Sequence, residues 1–133
     1  MKCIFCDIIS GKLPTFTVWE NRDFLLLLDL KPINPGHLLL LPKKHVNDIF
    51  LLPPKKLAQT FLTIQKIVPS LKKVSRAKRI GVAIEGFGVP HAHIHLVPVN
   101  KGNDLNPERA KKASVLTLQK QQKKLEVQLK NIR

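Results

Sequence analysis

Residues 91–96 alternate strictly between histidine and apolar side chains, and a proline stands on each side of this stretch at positions 90 and 98. Successive side chains of a β-strand point to opposite faces of the sheet. We therefore expect a strand over Val89–Pro98, with its apolar residues facing a core and His91, His93 and His95 in a row on the other face. Three imidazoles in register favour chemistry over a solvated face, because imidazole exchanges protons, attacks electrophiles and binds metals near neutral pH.

Four other stretches predict strands, because they are rich in β-branched, aromatic or aliphatic residues and are bounded by turn residues. They are Thr15–Glu20, Phe24–Leu28, His37–Leu41 and Ile80–Glu85. The first two are predicted to form a hairpin around a turn at residues 21–23. A short helix is predicted over Cys3–Ser10, where apolar residues recur at helical spacing before Gly11.

The main helix is predicted to begin at Pro53-Pro54, since proline is tolerated in the first turn of a helix. An apolar stripe follows at helical spacing, and its members are Leu57, Phe61, Ile64, Val68 and Leu71. Pro69 has no backbone N–H to donate, so we expect a kink or an end near Val68. The basic residues from Lys72 to Arg79 are interpreted as a solvated connector rather than a binding patch.

The chain length and charge suggest one basic domain with a terminal appendage. With 133 residues the chain can bury a core. We predict a domain over 1–107 and a basic, amphipathic helical extension over 108–133 that packs on the domain or on a partner subunit. The 23 Lys and Arg residues against 9 Asp and Glu residues give a net charge of +14, which predicts attraction to phosphates of nucleotides, nucleic acids or anionic lipids.

The apolar segments predict a cytoplasmic protein with no membrane partner. The first residues lack the uninterrupted apolar run and the cleavage site of a signal peptide. The longest apolar runs, Phe24–Leu28 and Leu38–Leu41, are far too short to span a bilayer.

The two cysteines, Cys3 and Cys6, form one C-x-x-C and predict either metal ligands or a redox pair. A thioredoxin-like pair would follow a strand in a βαβ unit, which this position does not offer. Zinc takes four nitrogen or sulfur ligands, so two histidines must complete a closed site. His45 and His91 lie near strand ends, and the prediction is a structural zinc held by these four residues.

His93, His95 and His37 then remain for chemistry. A neutral imidazole can attack phosphorus through Nε2 when an acceptor holds its Nδ1–H. Neighbouring imidazoles, at least one of them protonated, can stabilise the charge on the phosphoryl oxygens and protonate the leaving group. Asp29, at the end of a strand, is a candidate acceptor for ribose hydroxyls.

These residues resemble a known family. His91–Val97 matches the His-φ-His-φ-His-φ-φ signature of the histidine triad (HIT) superfamily of nucleotide hydrolases and transferases. Segment 3–14 is similar to the start of its Hint branch, and residues 29–45 resemble its second conserved block. The resemblance covers residues 1–100. It implies an α+β fold with an antiparallel sheet of about five strands, usually continued across a homodimer.

The resemblance also implies roles for individual residues. His93 would be the nucleophile that forms a nucleotidyl-histidine intermediate, His95 and His37 would contact the phosphate, and Asp29 would hold the ribose. Phe5, Ile8 and Leu27 would line the pocket for the base of a purine nucleotide. The implied activity is release of a nucleoside monophosphate from a phosphoramidate or phosphoanhydride, and zinc-containing relatives use the ligand set proposed above.

One segment departs from the family pattern. Many relatives carry Gly-Gln-Ser/Thr-Val before the triad, whereas this chain has Glu85-Gly86-Phe87-Gly88-Val89-Pro90 and lacks that hydroxyl or amide donor. Two alternatives to the enzyme remain at this point. The first is a zinc-stabilised, basic nucleotide- or nucleic-acid-binding module without catalysis, and the second is a catalytic metal site made of the three triad histidines.

Overall fold

A computed structural model describes residues 3–133 as a five-stranded antiparallel sheet with three α-helices. The strands are β1 (Thr17–Glu20), β2 (Phe24–Leu28), β3 (Leu38–Pro42), β4 (Arg79–Ala83) and β5 (Ile94–Val99). The helices are α1 (Ile4–Ile9), α2 (Pro54–Ser75) and α3 (Val115–Leu129), with single 3-10 turns at Ile49–Leu51 and Pro107–Arg109. The strand order is β1-β2-β3-β5-β4. The predicted α+β class, the number of strands and the three helices are confirmed.

The sheet separates two apolar layers, because alternate residues of the central strands point to opposite faces. Leu38 and Leu40 of β3 join the main core beneath α2 and α3, whereas Leu39 and Leu41 join a smaller cluster beneath α1. All five residues of β2 are buried, as its unbroken apolar run predicts. The smaller cluster forms the floor of the site described below.

Helix α2 differs from its prediction in phase and in length. Phe61, a member of the predicted stripe, is 43% exposed, while Thr60 and Ile67 are both fully buried. Thr60 can lie in the core because its hydroxyl donates a 2.8 Å hydrogen bond to the Lys56 carbonyl, which removes the cost of burying it. The end expected near Val68 is wrong, since the helix continues through Pro69 to Ser75.

The histidine strand begins later than predicted. Strand β5 starts at Ile94, so His91 and His93 precede the regular ladder. The Ala92 N–H donates to the Val46 carbonyl at 2.6 Å instead of pairing with a strand. The predicted apolar back is nevertheless present, because Ala92, Ile94 and Leu96 all belong to the main core.

Helix α3 is part of the same core. Leu118, Leu125 and Leu129 are buried against the sheet and α2. The Trp19 indole N–H of β1 donates to the Ile132 carbonyl at 2.9 Å and fixes the end of the chain. No helix within residues 3–133 is long and apolar enough to cross a membrane.

Candidate active site and metal centre

Four donor atoms converge where α1 meets the start of the triad segment. Helix α1 brings Cys3 and Cys6 to His45, which follows β3, and to His91. His91 Nδ1 lies 3.5 Å from each cysteine Sγ and 3.2 Å from His45 Nδ1, and Cys6 Sγ lies 3.2 Å from His45 Nδ1. A tetrahedral zinc, with bonds of about 2.0 Å to nitrogen and about 2.3 Å to sulfur, requires similar separations between its donors. The predicted ligand set therefore fits zinc.

Each of the two histidines has a partner that orients its ring. His91 Nε2 lies 2.8 Å from the Pro42 carbonyl, and His45 Nε2 lies 3.0 Å from Asn47 Oδ1. Both oxygens are acceptors, so each Nε2 carries the proton and each Nδ1 presents a lone pair to the cluster. An outer hydrogen bond of this kind is the usual support of a metal-binding histidine.

The pKa values of two members of this cluster, His91 and Cys6, are shifted toward the neutral forms. Burial lowers the pKa of His91, which keeps its Nδ1 available as a ligand at neutral pH. Burial raises the pKa of the Cys6 thiol, and its hydrogen bond and charge interaction with Cys3 raise it further. Binding of a divalent cation must consequently displace thiol protons, which makes metal affinity fall with falling pH.

His93 is held by a different kind of contact. Its Nδ1 lies 2.8 Å from the carbonyl of His91, two residues earlier in the chain. The carbonyl can only accept, so the proton stays on Nδ1 and Nε2 carries the lone pair. The side chain is buried to 7% exposure, with its ring centroid 5.1 Å from that of Phe5. This is the arrangement that a nucleophilic imidazole requires.

His37, His95 and Asp29 form a second cluster beside His93. The Ile33 N–H donates to His37 Nδ1 at 3.0 Å, so neutral His37 carries its proton on Nε2. That Nε2 lies 2.9 Å from His95 Nδ1 and 3.5 Å from Asp29 Oδ2. When His95 Nδ1 accepts this hydrogen bond, the proton of neutral His95 must be on Nε2. The chain of contacts thus prepares His95 Nε2–H to donate.

Burial keeps both of these histidines neutral at pH 7. It lowers the pKa of His37 to about 4, against the opposing charge of Asp29. It also lowers the pKa of His95, with the charge of His93 acting in the same direction and those of Asp29 and Glu85 opposing it. A neutral His95 with its proton on Nε2 can donate a hydrogen bond to a phosphoryl oxygen, but it is not the protonated imidazole that the sequence predicted among these histidines.

The residues predicted to hold the nucleoside lie around the same histidines. Phe5 and Leu27 are buried in the apolar cluster beneath α1, and Ile8 packs against it. Asp29, at the end of β2, accepts the Lys31 N–H at Oδ1. All seven residues predicted for catalysis and nucleoside binding therefore lie on, or at the edge of, the α1 face of the sheet.

The segment before the triad is exposed and lacks side-chain hydroxyl or amide groups. Phe87 is 90% exposed, and Gly86 adopts φ +85°, a conformation that favours glycine. The expected absence of a polar donor between Gly86 and Pro90 follows from the sequence.

The ligand atoms of the three triad histidines do not converge. His91 faces the cysteines, whereas His95 faces Asp29 and His37, and these are the two groups of candidate metal ligands within residues 3–133. The hypothesis of a catalytic metal held by all three triad histidines therefore finds no support in this geometry.

Comparison with known proteins agrees with this site. The sequence model of the HIT domain matches residues 10–102, including the whole triad. The chain belongs to the HIT family. An uncharacterized HIT-like protein of Mycobacterium tuberculosis is 34% identical over 111 residues, which cover 80% of this chain and 77% of that protein.

Two further HIT relatives bear on the metal and on the chemistry. The structure of a zinc-bound histidine triad family protein from Mycobacterium smegmatis aligns with a TM-score of 0.83 and 28% identity over 99% of this chain and 96% of that one. Together with the Cys3-Cys6-His45-His91 cluster, it supports zinc binding. The adenosine 5'-monophosphoramidase of Candida albicans is 31% identical over 108 residues, covering 72% of this chain and 69% of that protein.

Sequence reasoning did not find the groups that orient the histidines. Asn47, two residues after a predicted ligand, carried a usable signal, because an amide so close in sequence can accept from the ligand's second nitrogen. The carbonyls of Pro42 and His91 and the N–H of Ile33 carried none, since every residue has a backbone and only the fold selects which atoms meet.

Proposed function

We propose that this HIT protein cleaves a nucleoside monophosphate from a phosphoramidate or phosphoanhydride through a nucleotidyl-histidine intermediate on His93. The observation that carries the proposal is the 2.8 Å contact of His93 Nδ1 with the His91 carbonyl, which leaves Nε2 free to attack. The hydrolase activity of relatives such as the Candida albicans phosphoramidase agrees with it.

In the first step His93 Nε2 attacks the α-phosphorus, and the bond from phosphorus to the leaving nitrogen or oxygen breaks. The leaving group takes a proton from solvent as it departs, and the phosphoryl group stays on His93 Nε2, which makes the His93 ring a cation. Neutral His95 donates its Nε2–H to a phosphoryl oxygen, and the His37 Nε2–H, 2.9 Å from His95 Nδ1, holds His95 in this tautomer.

In the second step water attacks the nucleotidyl-phosphorus and the P–N bond to His93 breaks. The attacking water releases a proton to solvent, which balances the proton taken up in the first step, and the nucleoside monophosphate leaves His93 in its neutral form. The cation formed on His93 during the covalent state is stabilised by the His91 carbonyl, which accepts its Nδ1–H throughout.

The nucleoside is proposed to lie against α1. Phe5, Ile8 and Leu27 supply an apolar surface for a purine, and the exposed edge of Asp29 supplies acceptor oxygens for the ribose hydroxyls. The adenosine substrate in the name of the Candida albicans relative supports this choice of base.

The test uses an adenosine 5'-phosphoramidate and measures AMP released by the wild type and by His93→Gly. The wild type is expected to turn over, while the variant loses at least about 10³-fold in rate because the covalent step has no nucleophile. Wild-type enzyme quenched in alkaline denaturant, in which the P–N bond is stable, should show an adenylyl adduct by mass spectrometry on the peptide that contains His93. Equal turnover by the two proteins would refute the proposal.

We further infer that the zinc is structural, since four protein ligands leave no open position for substrate. The double variant Cys3→Ser/Cys6→Ser is expected to lose zinc in metal analysis and to unfold at a lower temperature. His37→Gln, which changes a histidine outside this cluster, should retain zinc in full. Full retention by the cysteine variant would contradict the assignment and favour a metal held by histidines alone.

A further inference from the structure

A cleft of about 580 Å³ lies between the C-terminal turns of α2 and the second half of α3, on the side of the sheet away from the histidines. Four cationic side chains line it, Lys73 and Arg76 from one wall and Lys123 and Lys124 from the other. The walls are held together by the α2–α3 packing and by the Ser70 hydroxyl, which donates to the Gln128 carbonyl at 3.3 Å. The two helices that carry the four cations are therefore packed against each other.

These cations have no acidic partner within the described part of the chain. The Lys and Arg ion pairs there involve Lys43, Lys56 and Arg109, which all lie outside the cleft. Residues 72–79 contain five Lys and Arg residues and no acidic residue, and in α3 Glu126 is the one carboxylate among three lysines. A concave surface that is lined by charges of one sign concentrates the electrostatic potential, and here the positive potential attracts anions.

Arg76 occupies a position that does not favour arginine. It caps α2 in the left-handed conformation, with φ 60° and ψ 21°, where glycine or asparagine is the common choice. This conformation ends α2 and turns the chain at the edge of the cleft. Here the guanidinium lines the cleft opposite the lysines of α3.

We propose that this cleft binds the phosphate backbone of double-stranded nucleic acid. Side chains from two walls can reach a projecting phosphate ridge, whereas a flat membrane surface cannot enter a cleft between helices. No aromatic side chain lines the cleft, so unpaired bases would find no stacking surface, and contacts to the backbone remain. Because α2 and α3 cover the opposite side of the sheet, the catalytic histidines stay accessible in the complex.

The experiment measures binding of the full-length protein to a fluorescein-labelled RNA duplex by anisotropy over a range of salt concentrations. Four phosphate contacts predict a slope of log affinity against log salt near −3.6, about −0.9 per contact. The double variant Lys73→Glu/Lys123→Glu is expected to weaken binding roughly fifty-fold at about 0.1 M salt. The slope of log affinity against log salt should become shallower by the amount that about two phosphate contacts contribute. The matched control Lys12→Glu/Lys66→Glu changes the net charge equally at exposed positions outside the cleft.

The control should bind within about threefold of the wild type, and both variants should unfold at the wild-type temperature. Equal loss by the two variants would overturn the proposal, because binding would then follow net charge alone. Tighter binding to the labelled single strand than to the duplex, or binding only to phosphatidylserine vesicles, would overturn it as well. Hydrolysis of the phosphoramidate is measured beside binding, and unchanged turnover in both variants would separate this surface from the catalytic site.

Discussion

His91, His93 and His95 differ in the atoms that surround their rings, although they are spaced identically in the sequence. The Pro42 carbonyl accepts a hydrogen bond from His91 Nε2, so Nδ1 of His91 faces the cysteines. The His91 carbonyl accepts from His93 Nδ1, so its Nε2 is free. Each acceptor selects one tautomer, and the tautomer decides whether the residue can bind metal, attack phosphorus or donate a hydrogen bond.

The buried His37 makes stability depend on pH. Its pKa is about 4 in the folded protein, below the usual 6.5, so the unfolded chain binds more protons between these values. The contribution is present in full above pH 6.5 and is lost as the pH falls toward 4. It amounts to about 3 kcal/mol of unfolding free energy. Denaturant unfolding of the wild type and His37→Gln at several pH values should show a steeper loss in the wild type.

Comparison of the two proteins at each pH removes effects common to both, including the release of metal ligands by acid. The difference between their unfolding free energies should narrow from pH 7 to pH 4, since glutamine does not titrate. Parallel curves would show that His37 is not buried in its neutral form.

At the scale of the element, α2 shows how packing overrides a sequence pattern. The predicted stripe placed Phe61 in the core, but the buried face runs through Thr60, Ile64, Ile67 and Leu71. A pattern of apolar positions counts threonine as a polar residue and therefore does not assign Thr60 to the buried face. In the fold its hydroxyl bonds to the preceding turn, and its methyl group packs in the core.

Pro69 lies inside helix α2 and is expected to destabilise it. It is exposed and lies between the buried Ile67 and Leu71, whose packing keeps the helix continuous despite the missing N–H. Pro69→Ala is therefore expected to raise the free energy of unfolding by about 2 kcal/mol, measured by urea denaturation. Pro54→Ala, in the first turn where proline is suited to the helix, should change it by less than about 0.5 kcal/mol. A destabilising effect of Pro69→Ala would contradict this account.

For the whole molecule, the C-terminal helix α3 packs on the domain, which is one of the two arrangements predicted for it. The boundary predicted at residue 107 follows the change in composition, yet Leu118, Leu125 and Leu129 share a core with the sheet. A truncation at that boundary would remove these leucines together with the basic residues. Point substitutions are for this reason the cleaner way to separate the charge of α3 from its packing.

Leu125→Ala should destabilise the whole fold. The side chain is fully buried between α3 and the sheet, so its loss removes apolar burial and leaves a cavity. The expected cost is about 2–5 kcal/mol of unfolding free energy, measured by thermal or urea denaturation. Leu116→Ala makes the same chemical change at a position that is 61% exposed and should cost less than about 0.5 kcal/mol. Similar losses in the two variants would show that α3 is not held in the core.

A homodimer and a cytoplasmic location remain predictions of the family resemblance and of the sequence. The first concerns a second copy of the chain and the second concerns the cell compartment, and neither is a property of one chain alone. The exposed edge of the sheet at β4 is compatible with the continuous sheet that the resemblance implies, because β4 pairs with β5 on one side only.

The sequence by itself determined the chemistry available and the class of fold. Alternation at 91–96 identified the imidazoles and their apolar back, and the C-x-x-C identified two metal-type ligands, because both patterns are local. The tertiary structure decided the partners of each group. It started β5 at Ile94, joined α1 to His45 and His91, and brought His37 to His95 across neighbouring strands. These contacts join residues far apart in the chain, and their geometry depends on backbone atoms that no residue type specifies.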